Sequence, residues 1–237
     1  MIIYLYTIII MAFTHQDTEC MALALKLSQF GRTAVGANPM VGCVITLDGK
    51  IIAQDYHRFY GGAHAEVNAL RHINHKGENT RVYITLEPCS HFGKTPPCSE
   101  ALIKAGVKKV FIAMLDPNPL VSGRGIKILQ DSGIEVEVGL LEKEANEINR
   151  GFIKRMQTGL PFVTSKIAMS LDGRTAMKNG ESKWITSEAS REDVQLLRSL
   201  NQAIMTGSGT IKSDNPMMTV RMEKEDSTPL RVVIDSN

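Results

Sequence analysis

Residues 61–98 read GGAHAEVNALRHINHKGENTRVYITLEPCSHFGKTPPC, and the fold turns on how this stretch divides. His64 opens a helical pattern that continues through Glu66, Ala69 and Ile73. Val82 to Leu86 has the apolar, β-branched character of a strand and delivers Glu87-Pro88-Cys89 at its end. Pro96-Pro97 then set up a second helix whose first residue is Cys98. Ligands at two helix N-termini sit where the positive end of the helix dipole favours a thiolate. One neutral imidazole, His64, and two thiolates, Cys89 and Cys98, balance the charge of a divalent zinc. They also leave one tetrahedral position open, which is the layout of a catalytic rather than a structural site. Glu66, two residues after the histidine, is placed to move protons between a water and a substrate.

Outward from this stretch, strands and helices alternate, which argues for an α/β layer fold. Thr18 to Phe30 carries apolar residues at helical spacing, with Gly31 as its stop. Val41 to Leu47 and Lys50 to Tyr56 read as a hairpin around the turn Asp48-Gly49. Val110 to Leu115 is a strand, Asp116 to Gly125 a loop, Ile126 to Asp131 a helix and Ile134 to Val138 a strand. Glu142 to Met156 reads as one charged amphipathic helix bridging to a second region that begins at Pro161. There Phe162 to Met169 is expected as a strand and Ser187 to Leu200 as a helix capped by Ser187. Gln202 to Thr206 reads as a strand running into Gly207-Ser208-Gly209-Thr210, either a tight turn or a phosphate cradle. The segment from Pro161 to Asn237 is shorter than the about 100–150 residues of a typical domain.

Composition excludes some functions. The chain has 237 residues, 43% hydrophobic and 22% charged, with a net charge of +2, so no electrostatic reason exists to expect a nucleic-acid partner. Four cysteines in a chain without a secretory signal favour metal binding over a disulfide framework. Met1 to Phe13 is apolar but too short for a bilayer span of roughly 20 residues. No Lys or Arg precedes Lys26, so the basic start of a signal peptide is missing. Residues 1–16 are therefore expected to be a leader, with Met11 as a second candidate start, and the protein to be cytoplasmic with no membrane partner.

The H-x-E of residues 64–66 followed by Pro88-Cys89 and a second cysteine is the zinc-deaminase signature, with a departure: Cys98 lies nine positions after Cys89 instead of three. H-A-E-V together with E-P-C-S-H-x-G-K-T-P-P-C resembles the deaminase half of the bifunctional riboflavin-biosynthesis deaminase–reductase family. KIAMSLDGRTA, SKWITS and DNPMMTVR downstream resemble its reductase half, and the resemblance runs from about Cys20 to Asn237. It implies a cytidine-deaminase-like three-layer α/β/α sandwich over residues 17–145 and a linker helix region over 146–160. A partial dihydrofolate-reductase-like α/β region is implied over 161–237, its downstream part absent and its activity in doubt.

The resemblance also implies chemistry. The substrate would be a diaminopyrimidinone bearing ribosyl phosphate, deaminated by zinc and Glu66, with Asn38, His57 and Lys94 holding it. NADPH would then reduce the ribosyl group to ribityl. Ala168, Trp184, Thr210 and Asp214 match cofactor positions, and Ser182, Arg198, Met218 and Arg221 match substrate positions. The reductase-like site would also be lined by Lys166 and Asp172, and a homo-oligomer is implied. Bland readings stand beside these. Lys94 is equally an exposed loop lysine, Asn38 a turn residue before Pro39, and Trp184 a core filler. A structural zinc with His91 as fourth ligand would leave Glu66 without a task. A deaminase of an RNA base and a zinc-stabilised interaction module are the rival functions.

Overall fold

The computed structural model describes residues 13–73, 79–91, 96–119, 121–222 and 229–236. Helix α1 spans His15–Ser28 and starts earlier than its apolar spacing suggests. Thr14 caps it: the Asp17 N–H donates to Thr14 Oγ1 at 3.1 Å, and the Thr14 N–H donates to Asp17 Oδ2 at 3.0 Å. This reciprocal pairing satisfies two otherwise orphaned donors at the helix start.

The main sheet has five strands in the order β2-β1-β3-β4-β5. These are β1 (Gly42–Leu47), β2 (Lys50–Tyr56), β3 (Thr80–Ile84), β4 (Lys109–Ile112) and β5 (Glu135–Val138). β1 runs antiparallel to β2 and β3, while β3, β4 and β5 are parallel. The β1–β2 turn is the one expected, with Asp48 and Gly49 both at positive φ (48° and 80°) as a two-residue hairpin requires. Register places Val44, Tyr83 and Phe111 on one face and Cys43, Ile84 and Ile112 on the other. The Tyr83 and Phe111 rings stack at 4.8 Å on the α1 side, and the Tyr83 hydroxyl donates to buried Asp17 at 2.7 Å. A Cβ on Gly42 would lie 1.9 Å from the Ala24 carbonyl oxygen, so α1 presses directly on the β1 backbone.

Helices α2 (Ala65–Leu70), α3 (Cys98–Ala105) and α4 (Arg124–Asp131) pack against one another in sequence, α2 leaning on β1 and β2 and α4 on β5. The expected single helix from Glu142 is two, α5 (Glu142–Ile148) and α6 (Arg150–Thr158). The break falls at Asn149, 3% exposed, whose Oδ1 accepts from the Met40 N–H at 2.8 Å and whose Nδ2 donates to the Met40 carbonyl at 3.0 Å. Satisfying a distant backbone segment outweighs the unbroken helical ladder.

The second region holds α7 (Glu188–Ser199), β6 (Ala203–Gly207), α8 (Ser208–Asp214) and β7 (Leu230–Ile234). Ser187 caps α7, as expected. Two expectations are corrected here. Residues 162–169 form no strand: they are largely exposed, and among the described residues the only partner for β6 is β7, in parallel. Gly207 to Thr210 is not a tight turn either, since Gly207 is extended (φ −84°, ψ 157°) and the next residues begin α8.

Burial opposes the charge of Asp17, but hydrogen bonds from Thr14 and Tyr83 outweigh it and hold its pKa below the ordinary value. A depressed carboxyl pKa stabilises the fold above the unfolded-state value and loses that effect as pH falls through the folded one. Tyr83→Phe keeps the ring stack and removes one bond to a charged acceptor. It should lower stability at neutral pH by about 1.5–3 kcal/mol, and urea titrations should show the gap narrowing below about pH 4. Asn149→Ala should cost about 1–3 kcal/mol by stranding the Met40 amide and carbonyl, read as a lowered Tm.

Candidate active site

His64 is the N-cap of α2, its backbone extended (φ −72°, ψ 165°). Cys98 is the first residue of α3, directly after Pro97. Cys89 follows the C-terminal end of β3. Their ligand atoms all lie within 4.8 Å of one another. His64 Nδ1 is 3.2 Å from Cys98 Sγ and 3.5 Å from Cys89 Sγ, and the Cys98 N–H donates to Cys89 Sγ at 3.3 Å. His91 is exposed and does not join them among the described residues.

The electrostatics follow from this closeness. The Cys98 thiol beside it, and His64 in turn, hold the Cys89 thiol well below its ordinary pKa despite burial. Cys98 keeps the shared proton and is raised, by its bond to Cys89 and by burial. His64 is raised by its bond to Cys89, against burial. Glu66 is 3% exposed, and burial together with the charge of Cys89 pushes its carboxyl up to about 7. Its Oε2 has no partner among the described residues. Three convergent nitrogen and sulfur donors, one already a thiolate, fit a borderline divalent ion such as zinc. An orphaned buried carboxylate oxygen beside them fits a group that works on what such an ion binds.

Three side chains missed by sequence reasoning frame this cluster. Asn68, one turn beyond His64, donates from Nδ2 to the carbonyls of Tyr56 and Ala63 at 3.0 and 3.1 Å. It thereby closes the loop between β2 and α2. Asp55 on β2 is 5% exposed and accepts from Arg58 through both oxygens, at 3.1 and 2.9 Å. His72 joins it at 3.2 Å, so this histidine is paired rather than simply solvated as its helix-end position suggests. Glu87 is the third, buried between β3 and the loop ahead of α4. Only the i+4 offset of Asn68 from His64 offers a signal in the sequence.

The residues implied by resemblance fall in several places. His57 is 3% exposed, its Nδ1 3.1 Å from the Ala63 carbonyl oxygen and its Nε2 without a protein partner. Its ring stands edge-on to that of His64 with centroids 5.4 Å apart, and burial lowers its pKa. Asn38 is half-buried, donates its N–H to the Val35 carbonyl, and lines a cavity of about 460 Å³ between its own loop, the α5–α6 junction and the end of α7. Lys94 lies outside the described residues. In the second region Arg198 donates to the Thr219 carbonyl at 3.0 Å, next to buried Met218, and the backbone of Arg221 donates to Gln195 of the same helix. These three are brought together. Burial, then the Arg221 charge, lowers the Arg198 pKa. Ser182 and Trp184 are exposed, Trp184 beneath the Arg191 guanidinium at 4.2 Å, so it is no core filler. Thr210 and Asp214 are exposed on α8, and Ala168 is half-buried in the strandless segment.

Two stretches of the chain match known protein families. Residues 14–114 match the cytidine and deoxycytidylate deaminase zinc-binding region, and residues 161–237 match the RibD C-terminal domain. The riboflavin biosynthesis protein RibD of Escherichia coli (strain K12) is 51% identical over 233 residues, covering 93% of this chain and 64% of that protein. The solved structure of Acinetobacter baumannii RibD (form 1) superposes with a TM-score of 0.89 at 47% identity, covering 94% of this chain and 64% of the other. A Thermotoga maritima structure, described as a diaminohydroxyphosphoribosylaminopyrimidine deaminase/5-amino-6-(5-phosphoribosylamino)uracil reductase, gives 0.87 at 41% identity, over 93% and 63%. The chain thus spans a little under two thirds of the length of these relatives. With two regions matched in the same order, the chain is similar along nearly its whole described length to the riboflavin biosynthesis protein RibD.

Proposed function

We propose that this chain is a zinc-dependent hydrolytic deaminase acting on a diaminopyrimidinone that bears ribosyl phosphate. The observation that carries the reading is the buried Glu66, whose unpartnered Oε2 stands beside three convergent donors. The substrate class is taken from the description of the Thermotoga maritima relative. His64, Cys89 and Cys98 would hold the zinc, which when bound supplies Lewis acidity and a water made nucleophilic near neutral pH.

Glu66 does the proton work. A carboxyl near pKa 7 takes up a proton and gives it back with little penalty either way at neutral pH. It receives the proton lost by the attacking water and delivers it to the departing amino nitrogen, so that water and the amino-bearing ring carbon become carbonyl and ammonia. Burial keeps that proton from exchanging with bulk solvent during the exchange of groups. His57, whose Nε2 has no partner among the described residues, orients the substrate from the side of His64. Asn38 and Lys94 complete the grip on the pyrimidine and its phosphate. The near-neutral net charge of +2 supports a small molecule rather than a nucleic acid as the partner. Among the described residues no helix is long and apolar enough to cross a membrane. We place the enzyme in the cytoplasm as a homo-oligomer, on the strength of family resemblance.

The region from residue 161 would bind NADPH through Ala168, Trp184, Thr210 and Asp214 and the ribosyl substrate through Ser182, Arg198, Met218 and Arg221. Trp184 is 71% exposed, and Thr210 and Asp214 are exposed too, so among the described residues these three line no enclosed site.

Glu66→Gln should retain zinc at the wild-type stoichiometry while ammonia release from the pyrimidine nucleotide falls by about 10²–10⁴-fold. His64→Ala should lose both. Metal analysis and an ammonia assay read the two quantities. Ammonia release from tRNA in place of the nucleotide would overturn the substrate assignment. Given the deaminated product, the chain alone should leave the absorbance of NADPH unchanged, and steady oxidation would show that the second region works as it stands.

A further inference from the structure

Resting on the reading of His64, Cys89 and Cys98 as zinc ligands, we propose that Glu87 is the positioning residue of this site. Its carboxylate clamps the end of β3 to the loop before α4 and so fixes where Cys89 stands.

Glu87 is 3% exposed, two residues before Cys89. Its Oε2 accepts from the backbone N–H of Asp116 at 3.2 Å and of Gly123 at 3.0 Å, and its Oε1 accepts from the N–H of Gly125 at 3.0 Å. Its own N–H donates to the Met114 carbonyl at 3.0 Å. The carboxylate has no cationic side chain as partner in these bonds. Three backbone dipoles take that place. Burying a carboxylate this way is expensive unless every bond is made. Here the bonds are made, and they are of the strong, charge-assisted kind.

The contact continues past the carboxylate. A Cβ on Gly125 would lie 2.0 Å from the Pro88 carbonyl oxygen, so the first turn of α4 presses on the residue joining Glu87 to Cys89. On its other side Cys89 is tied to α3: its carbonyl accepts from the Ser99 N–H at 3.2 Å and from Ser99 Oγ at 3.1 Å. Cys89 is therefore held between α3, by bonds it makes itself, and Asp116, Gly123 and the first turn of α4, by bonds Glu87 makes for it. Releasing the second hold leaves the thiolate free to drift from His64 and Cys98. Partners of this outer kind are worth as much to a metal site as some ligands.

The test uses the full chain. Zinc affinity is measured by chelator competition for wild type, Glu87→Gln and Glu87→Ala, with Tyr83→Phe as a variant destabilised on the far side of the sheet. Cobalt(II) replaces zinc in a parallel set, and the thiolate-to-metal charge-transfer bands are recorded. Glu87→Gln keeps the shape but turns an amide NH₂ towards a backbone N–H. We expect it to bind zinc about 10–100-fold more weakly with altered cobalt bands, while Tyr83→Phe changes neither. Glu87→Ala should be weaker still, and if it does not fold the glutamine variant carries the comparison. Wild-type affinity and wild-type cobalt bands in Glu87→Gln, or a loss no larger than that of Tyr83→Phe, would overturn the proposal. Absence of zinc binding by the wild type would instead overturn the metal reading beneath it.

Discussion

Three donor atoms from residues up to 34 positions apart come within 4.8 Å of one another, and most of the first region can be understood as what that convergence requires. A sheet strand ends where two helices begin. Cys89 leaves β3 at its C-terminal end, while His64 and Cys98 stand at the starts of α2 and α3, so all three sit on the same rim of the sheet. Parallel β3 and β4 set that rim, because the chain must cross over the sheet between them and α3 is the crossover. The antiparallel β1–β2 hairpin feeds the other side through the loop that Asn68 closes. Like-signed thiolates and a carboxylate gathered in a buried spot repel one another. Burial first, and then the charge of Cys89, raises the pKa of Glu66, while the bond to Cys89 and burial raise that of Cys98. A divalent cation is the natural relief.

What was legible in the sequence was local. The Asp48-Gly49 turn, the N-cap of α7 and the placement of Cys98 at a helix start each depend on residues a few positions apart, and the structure has them as expected. What was illegible depends on partners far away in the chain. Nothing near Asn149 announces a helix break, because the break serves Met40, 109 residues earlier. Nothing near Glu87 announces a buried carboxylate, because its three amides arrive 29 to 38 residues later. Asp17 belongs to both classes: its pairing with Thr14 is written within four residues, its bond to Tyr83 is not.

The second region obeys the same rule in a harsher form. Phe162 to Met169 has the composition of a strand, but a strand exists only against a neighbour, and none of the described residues supplies one. β6 and β7 do pair, in parallel, and yet keep Met205, Leu230, Val233 and Ile234 exposed. Parallel strands are ordinarily covered on both faces. Between the regions, Asn149 on the α5–α6 junction and Arg155, which donates to the Ala37 carbonyl at 3.0 Å, grip the loop that carries Asn38. The linker is thus more than a spacer, since it fastens the Ala37–Met40 segment.

Trp184 gives the molecule a peculiar optical property. It is the single tryptophan, it lies in the second region, and it is 71% exposed beneath the guanidinium of Arg191. Intrinsic emission therefore reports on solvent access around one loop and is silent about the sheet that carries Cys89. Melting curves followed by tryptophan fluorescence and by far-ultraviolet circular dichroism will track different parts of the chain. Agreement between the two would then be a direct sign that both regions unfold as one cooperative unit.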